Sequence, residues 1–139
     1  MSLYQQAILN HSRNPHNFGR MPDPTVEVVA SNPVCGDEIV LQLRIEKNHI
    51  SQVRFEGKGC SISQASASLM SDHIMGKSIK QTTKLCERFK AMLTEGDCRN
   101  PEGLEELQVM QDVRAYPVRV KCALLAWDAL RDGIAMYQR

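Results

Sequence analysis

The residues of this 139-residue chain best suited to chemistry are its five cysteines, at positions 35, 60, 86, 98 and 122. Three of them sit where a chain changes element. Cys35 lies in "NPVCGDE", where Gly36 permits a turn and Asp37 puts a carboxylate two residues from the sulfur. Cys60 follows the glycines of "EGKGC" and precedes "SISQAS", a run of small residues that reads as a helix start. Cys122 falls in the first turns of a last helix opened by Pro117. Helix N-termini carry partial positive charge and unsatisfied N–H groups. They lower a thiol pKa and favour the thiolate, the form that ligates metals and attacks electrophiles. Taken singly, each cysteine reads equally well as a small buried apolar residue. The separations are long and include no C-x-x-C pair, so spacing alone does not fix a metal site.

The other two cysteines read differently. Cys86 shares a helical face with Ile79, Leu85, Phe89, Met92 and Leu93 and is assigned to the core. Cys98, in the loop "GDCRN", is a bystander. The four histidines, at 11, 16, 49 and 73, show no ligand spacing to one another. "GKGCSIS" lacks the ending and spacing of a phosphate-binding P-loop.

The elements that must position these thiols follow from periodicity. Residues 3–11 form a short helix, broken by "NPHNFGRMPDP". Strands are expected over 25–30, 38–46 and 49–56. The second alternates with Ile39, Leu41, Leu43 and Ile45 on one face, and "KN" makes the tight turn to the third. Helical spacing then takes over at 61–75, 79–93 and 104–113, and in the last helix, with "TEGDCRNPEG" as a loop. Strands first and helices second predict an α+β fold, a three-stranded antiparallel meander with four to five helices packed on it.

Composition bounds the function. The length suits one domain, 1–139. A net charge of +1 gives no electrostatic footprint for nucleic acid, and no apolar run is long enough to span a membrane. The N-terminus has no basic segment followed by an apolar one, so the expected location is the cytoplasm, where thiols stay reduced. An odd number of cysteines also argues for metal or thiol chemistry over a closed disulfide set.

Together "NPVCGD", "GKGCSISQASASLM" and "PVRVKCALLAW", with "HSRNPHNFG" at the N-terminus, resemble the U-type iron–sulfur cluster assembly proteins, over nearly the whole chain. The resemblance implies that family's fold, a small antiparallel sheet with packed helices. It also implies a metal site of Cys35, Asp37, Cys60 and Cys122. In Isc-type scaffolds a histidine precedes the third cysteine. Here that residue is Lys121, which has donors only. The stretch between Cys60 and Cys122 is also longer than in Isc-type proteins, by about twenty residues. Both features resemble the zinc-binding Suf-type branch.

That branch implies a zinc-dependent sulfur acceptor serving a SufS-type, pyridoxal-phosphate cysteine desulfurase, with downstream Suf scaffold proteins as further partners. Cys35 is then the thiol that takes the persulfide sulfur. A histidine of the desulfurase enters the zinc shell and frees it. Four anionic ligands on zinc leave a formal charge of −2. Arg119 and Lys121 are placed to offset it, and read equally well as a solvated basic face. Two other readings share the ligands: a scaffold that assembles a [2Fe–2S] cluster, with iron in place of zinc, and a structural zinc domain.

Overall fold

The first three strands form the expected meander. In a computed structural model that describes residues 3–96 and 104–139, β1 (Val26–Asn32), β2 (Asp37–Glu46) and β3 (His49–Lys58) make one antiparallel sheet in that order. The β2–β3 turn is Lys47-Asn48, both at positive φ (52° and 62°), the twist that a two-residue hairpin requires. Alternation sends Val26 and Val28, then Ile39, Leu41, Leu43 and Ile45, then Val53 and Phe55, to one buried face.

Helices cover that face. α1 (Leu3–Arg13) precedes the sheet, and α2 (Ser61–Ile74), α3 (Ile79–Thr94) and α4 (Pro117–Gln138) follow it. α3 begins with a capping box, Ser78 Oγ accepting from Gln81 N–H and Gln81 Oε1 accepting from Ser78 N–H. Its apolar face is the one read from the sequence, with Ile79, Leu85, Cys86, Phe89, Met92 and Leu93 all buried. Residues 104–113, expected as a short helix, belong instead to a 3₁₀ helix over Glu105–Ala115. Leu107 N–H donates to Leu104 O, the i→i+3 closure of that helix type. Cys98 lies outside the described residues.

α2 departs further from its pattern. The spacing predicts one buried face, but Ser63, Ser66, Ser68 and Ser71 are buried as well as Ala65, Leu69 and Ile74. The helix packs against α1, α4, β3 and the 3₁₀ helix. Its Ser and Ala side chains let those elements approach, and each buried hydroxyl must then find a partner. Ser66 Oγ donates to Ala123 O (2.6 Å) and accepts from Trp127 Nε1–H (3.1 Å). This ties α2 to α4 one residue from Cys122. On the other side Trp127 stacks on Phe89, ring centroids 4.3 Å apart. No helix among the described residues is long and apolar enough to cross a membrane.

Candidate metal and thiol centre

The site is assembled by three chain reversals. Asn32 and Asp37 are register partners at the closed end of the β1–β2 hairpin, so residues 33–36 form its turn. Cys35 N–H and Gly36 N–H both donate to Asn32 O (3.2 and 2.9 Å), and Gly36 takes φ 71°. The turn thus holds Cys35 half-exposed and leaves Asp37 fully buried as the first residue of β2. The second reversal is Gly59, at φ 146°, which passes directly over Asp37. It delivers Cys60 to the N-cap of α2, where Cys60 N–H donates to Asp37 Oδ1 (2.9 Å) and Sγ lies 4.0 Å from Oδ2. The third is the entry to α4, which carries the buried Cys122 to within 3.2 Å of Cys35, sulfur to sulfur.

Cys35, Asp37 and Cys122 therefore offer ligand atoms that all lie within 4.8 Å of one another. Cys60 stands at the margin of that group, held to it through Asp37. All four of the described cysteines are free thiols. Cys86 is fully interior, and burial pushes its thiol up to about 12, as befits a core residue.

The expectation of a helix start lowering each thiol fails for Cys122. Its pKa is raised, first by burial and then by its contacts with Asp37, Cys35 and Cys60. A helix terminus acts over one turn. Here it is outweighed by a sealed setting crowded with groups that become anionic. Charge of the opposite sign does stand nearby. Arg119 is solvent-exposed, and its guanidinium is held above its usual range by Cys122 first, then by Cys60. Lys121 is exposed and shares with Asn32, Val34, Cys35, Pro117 and Val118 the lining of a cavity of about 160 Å³. The exposed side chains of Val34, Tyr116 and Val118 make an apolar rim around Cys35.

Two features of the molecule carry no local sequence signal. The Asn32 side chain is buried, and its Nδ2 has no hydrogen-bond partner. His11 and His16 are in fact neighbours, ring centroids 4.5 Å apart, beside Asp72 of α2. The pKa of His11 is lowered by burial first and by His16 second. Sequence distance hid this cluster, because Asp72 lies more than fifty residues from either histidine.

A three-stranded meander roofed by helices, with three thiols and a carboxylate gathered at one end of its sheet, defines a small α+β thiol protein. The chain belongs to the NifU-like N-terminal domain family, whose family model matches residues 3–139. This is the family of the iron–sulfur cluster assembly scaffolds and SufU. The chain is 39% identical over 134 residues to the zinc-dependent sulfurtransferase SufU of Bacillus subtilis, covering 96% of this chain and 90% of that protein. It is 37% identical over 137 residues to the iron-sulfur cluster assembly scaffold protein IscU of Thermotoga maritima, covering 99% and 96%. A crystal structure of a candidate iron-sulfur cluster assembly scaffold protein for the SUF system, from Fervidobacterium islandicum AW-1, superposes with a TM-score of 0.88 at 30% identity and 96% coverage of both chains. The N-terminal part of a NifU-like protein from Brucella abortus superposes with a TM-score of 0.90 at 23% identity, covering 98% of this chain and 94% of that one, a likeness of fold.

Proposed function

We propose that this protein is a zinc-dependent sulfur acceptor, taking persulfide sulfur from a pyridoxal-phosphate cysteine desulfurase of the SufS type for iron–sulfur cluster assembly in the cytoplasm. Residues 1–139 act as one unit, and Suf scaffold proteins receive the sulfur next. The observation that carries this reading is the placement of Cys35: a half-exposed thiol on a turn, 3.2 Å from a buried thiol.

The donor chemistry fits zinc. Three thiols and one carboxylate match the ligand types and number of a tetrahedral site, and three of the four atoms already lie within 4.8 Å of one another. Cys35, Asp37, Cys60 and Cys122 would hold the ion. When bound it supplies charge that keeps its sulfur ligands deprotonated at neutral pH, offsetting the burial that raises Cys122. Asp37 is held in place by the Cys60 N–H, which donates to its Oδ1. Arg119 offsets the excess negative charge of four anionic ligands from the solvent side.

Sulfur transfer then falls to Cys35. Its thiolate attacks the terminal sulfur of the desulfurase persulfide. The Cys35 sulfur–sulfur bond forms as that of the desulfurase breaks. The desulfurase cysteine leaves as a thiolate, and the proton stays on the transferred sulfur. One such bond replaces another, so no external oxidant or reductant is consumed. The apolar rim of Val34, Tyr116 and Val118 keeps water from this exchange once a partner covers it.

A second reading, a scaffold assembling a [2Fe–2S] cluster on the same ligands, is favoured by the similarity to the Thermotoga maritima protein. Metal and sulfide analysis of freshly purified protein separates the two. Zinc gives no visible absorption, and an iron–sulfur cluster does. The transfer itself is tested by incubating the protein with desulfurase and cysteine, trapping thiols with an alkylating reagent and mapping the peptides. The added sulfur is expected on Cys35 and absent in Cys35→Ser. Sulfur on Cys86, with Cys35→Ser fully active, would overturn the mechanism.

A further inference from the structure

The geometry points to a second metal site, for a divalent transition-metal ion, formed by His11, His16 and Asp72 on the helical side of the molecule. One ring nitrogen from each histidine and one oxygen of Asp72 lie within 4.8 Å of one another. The three residues come from two separate stretches, the end of α1 with the loop after it and the last turns of α2. His16 and Asp72 are partly exposed, so an ion can reach them, and His11 closes the site from the buried side.

The residues behind these ligands are arranged as those of metal sites are. Ser68 Oγ lies 2.7 Å from His11 Nδ1 and accepts the His16 backbone N–H at 2.8 Å, fixing both histidines through one buried hydroxyl. Asn17 Nδ2 donates to Asp72 Oδ1 (3.1 Å), which leaves Oδ2 facing His16 Nδ1 at 2.5 Å. Glu106 Oε1 stands 3.4 Å from His11 Nε2, beside the three-residue group and not within it. Partners that orient the ligands in this way set ring direction and basicity in metal sites.

The donor set decides the kind of ion. Calcium and magnesium take oxygen ligands. Two imidazoles with a carboxylate suit zinc, iron, nickel and their neighbours. Binding puts the ion in place of the contact between His16 Nδ1 and Asp72 Oδ2. The ion then staples the N-terminal segment to α2, the helix whose opposite end is Cys60. The site uses no thiol, so it is independent of the one that holds Cys35.

The test uses protein already carrying about one equivalent of zinc. Further zinc chloride is added and followed by calorimetry and by NMR of the histidine rings. The expected result is about one more equivalent bound, shifting His11 and His16 and leaving His49 and His73 in place. His16→Ala should weaken that second equivalent by at least roughly 10-fold, and Ser68→Ala by roughly 10- to 100-fold. Asp72→Asn keeps the shape of the side chain and serves if His16→Ala loosens the N-terminal segment; it too should weaken the second equivalent. No second equivalent, one that shifts His49 or His73, or one unweakened in both His16→Ala and Asp72→Asn would overturn the assignment. Failure of the thiol site would show instead as loss of the first equivalent, with the histidine signals still responding.

Discussion

Asp37 and Cys60, 23 residues apart in the chain, are joined through backbone and side chain at once: Cys60 N–H donates to Asp37 Oδ1 at 2.9 Å, and the Cys60 sulfur lies 4.0 Å from the other carboxylate oxygen. The Asp37 carboxylate is thus the N-terminal partner of α2 as well as a member of the donor cluster. What makes the arrangement possible is the residue between them and solvent, Gly59.

Gly59→Ala is the first prediction. A Cβ there would overlap Asp37 Oδ1 and sit 2.9 Å from both Asp37 Cα and Cγ, on a residue at φ 146°. Backbone strain and the clash act together, so the loss of stability should be about 3 kcal/mol or more. Asp37 must also move, so zinc retention should fall in parallel. Chemical denaturation and metal analysis of one preparation check both. A variant with normal stability and full metal content would show that Gly59 does not hold Asp37.

The second concerns the thiols. Cys60→Ser and Cys122→Ser each remove a proposed ligand from a different helix, so each should lose zinc and lower Tm. Cys98→Ser, by the sequence reading of that residue as a bystander, should do neither. Cys86→Ser should separate the two effects. It buries a hydroxyl where a thiol packed beside Phe89, costing on the order of 1–3 kcal/mol, and keeps the metal. Equal metal loss in Cys86→Ser would contradict the proposed ligand set.

Stability at alkaline pH provides the third. Burial raises Cys86 from 9.0 to about 12 in the folded protein. The folded state therefore holds this proton more tightly than the unfolded one. The contribution is fully present below pH 9 and is lost as pH rises towards 12, amounting to a few kcal/mol. Cys86→Ala, which has no proton to lose, should show a shallower decline of stability over that window. Parallel curves for the two proteins would remove the assignment of Cys86 as a sealed core thiol.

Charge at the rim gives the fourth. Arg119 is exposed and bears on Cys122, Cys60 and Cys35. Arg119→Gln should slow persulfide transfer to Cys35 several-fold while leaving the unfolding free energy within about 0.5 kcal/mol of the original, as surface substitutions do. Lys121→His places an imidazole beside the cavity that Cys35 lines. It should raise iron retention relative to zinc in protein reconstituted with both. Unchanged metal preference would show that this position does not distinguish the two cofactors.

The sequence by itself determined every feature that repeats over a few residues. Period-two alternation gave β2 its buried face, the Lys47-Asn48 pair gave the hairpin, and period 3.6 gave α3 and its interior Cys86. It also marked Cys35, Cys60 and Cys122 as residues at element boundaries, because turns and helix starts need glycine and proline in known places. Only the tertiary structure decided what those boundaries meet. The 3.2 Å approach of Cys35 to Cys122 spans 87 residues and depends on how α4 packs against the sheet, which no local pattern encodes. The same holds for α2, buried on nearly every side, and for the raised pKa of Cys122, where burial overrides the helix end. It holds again for His11, His16 and Asp72, each unremarkable in its own stretch. Local periodicity records which face of an element is apolar. Burial, electrostatics and ligand geometry depend on which other faces arrive, and that is set by packing between parts of the chain far apart in sequence.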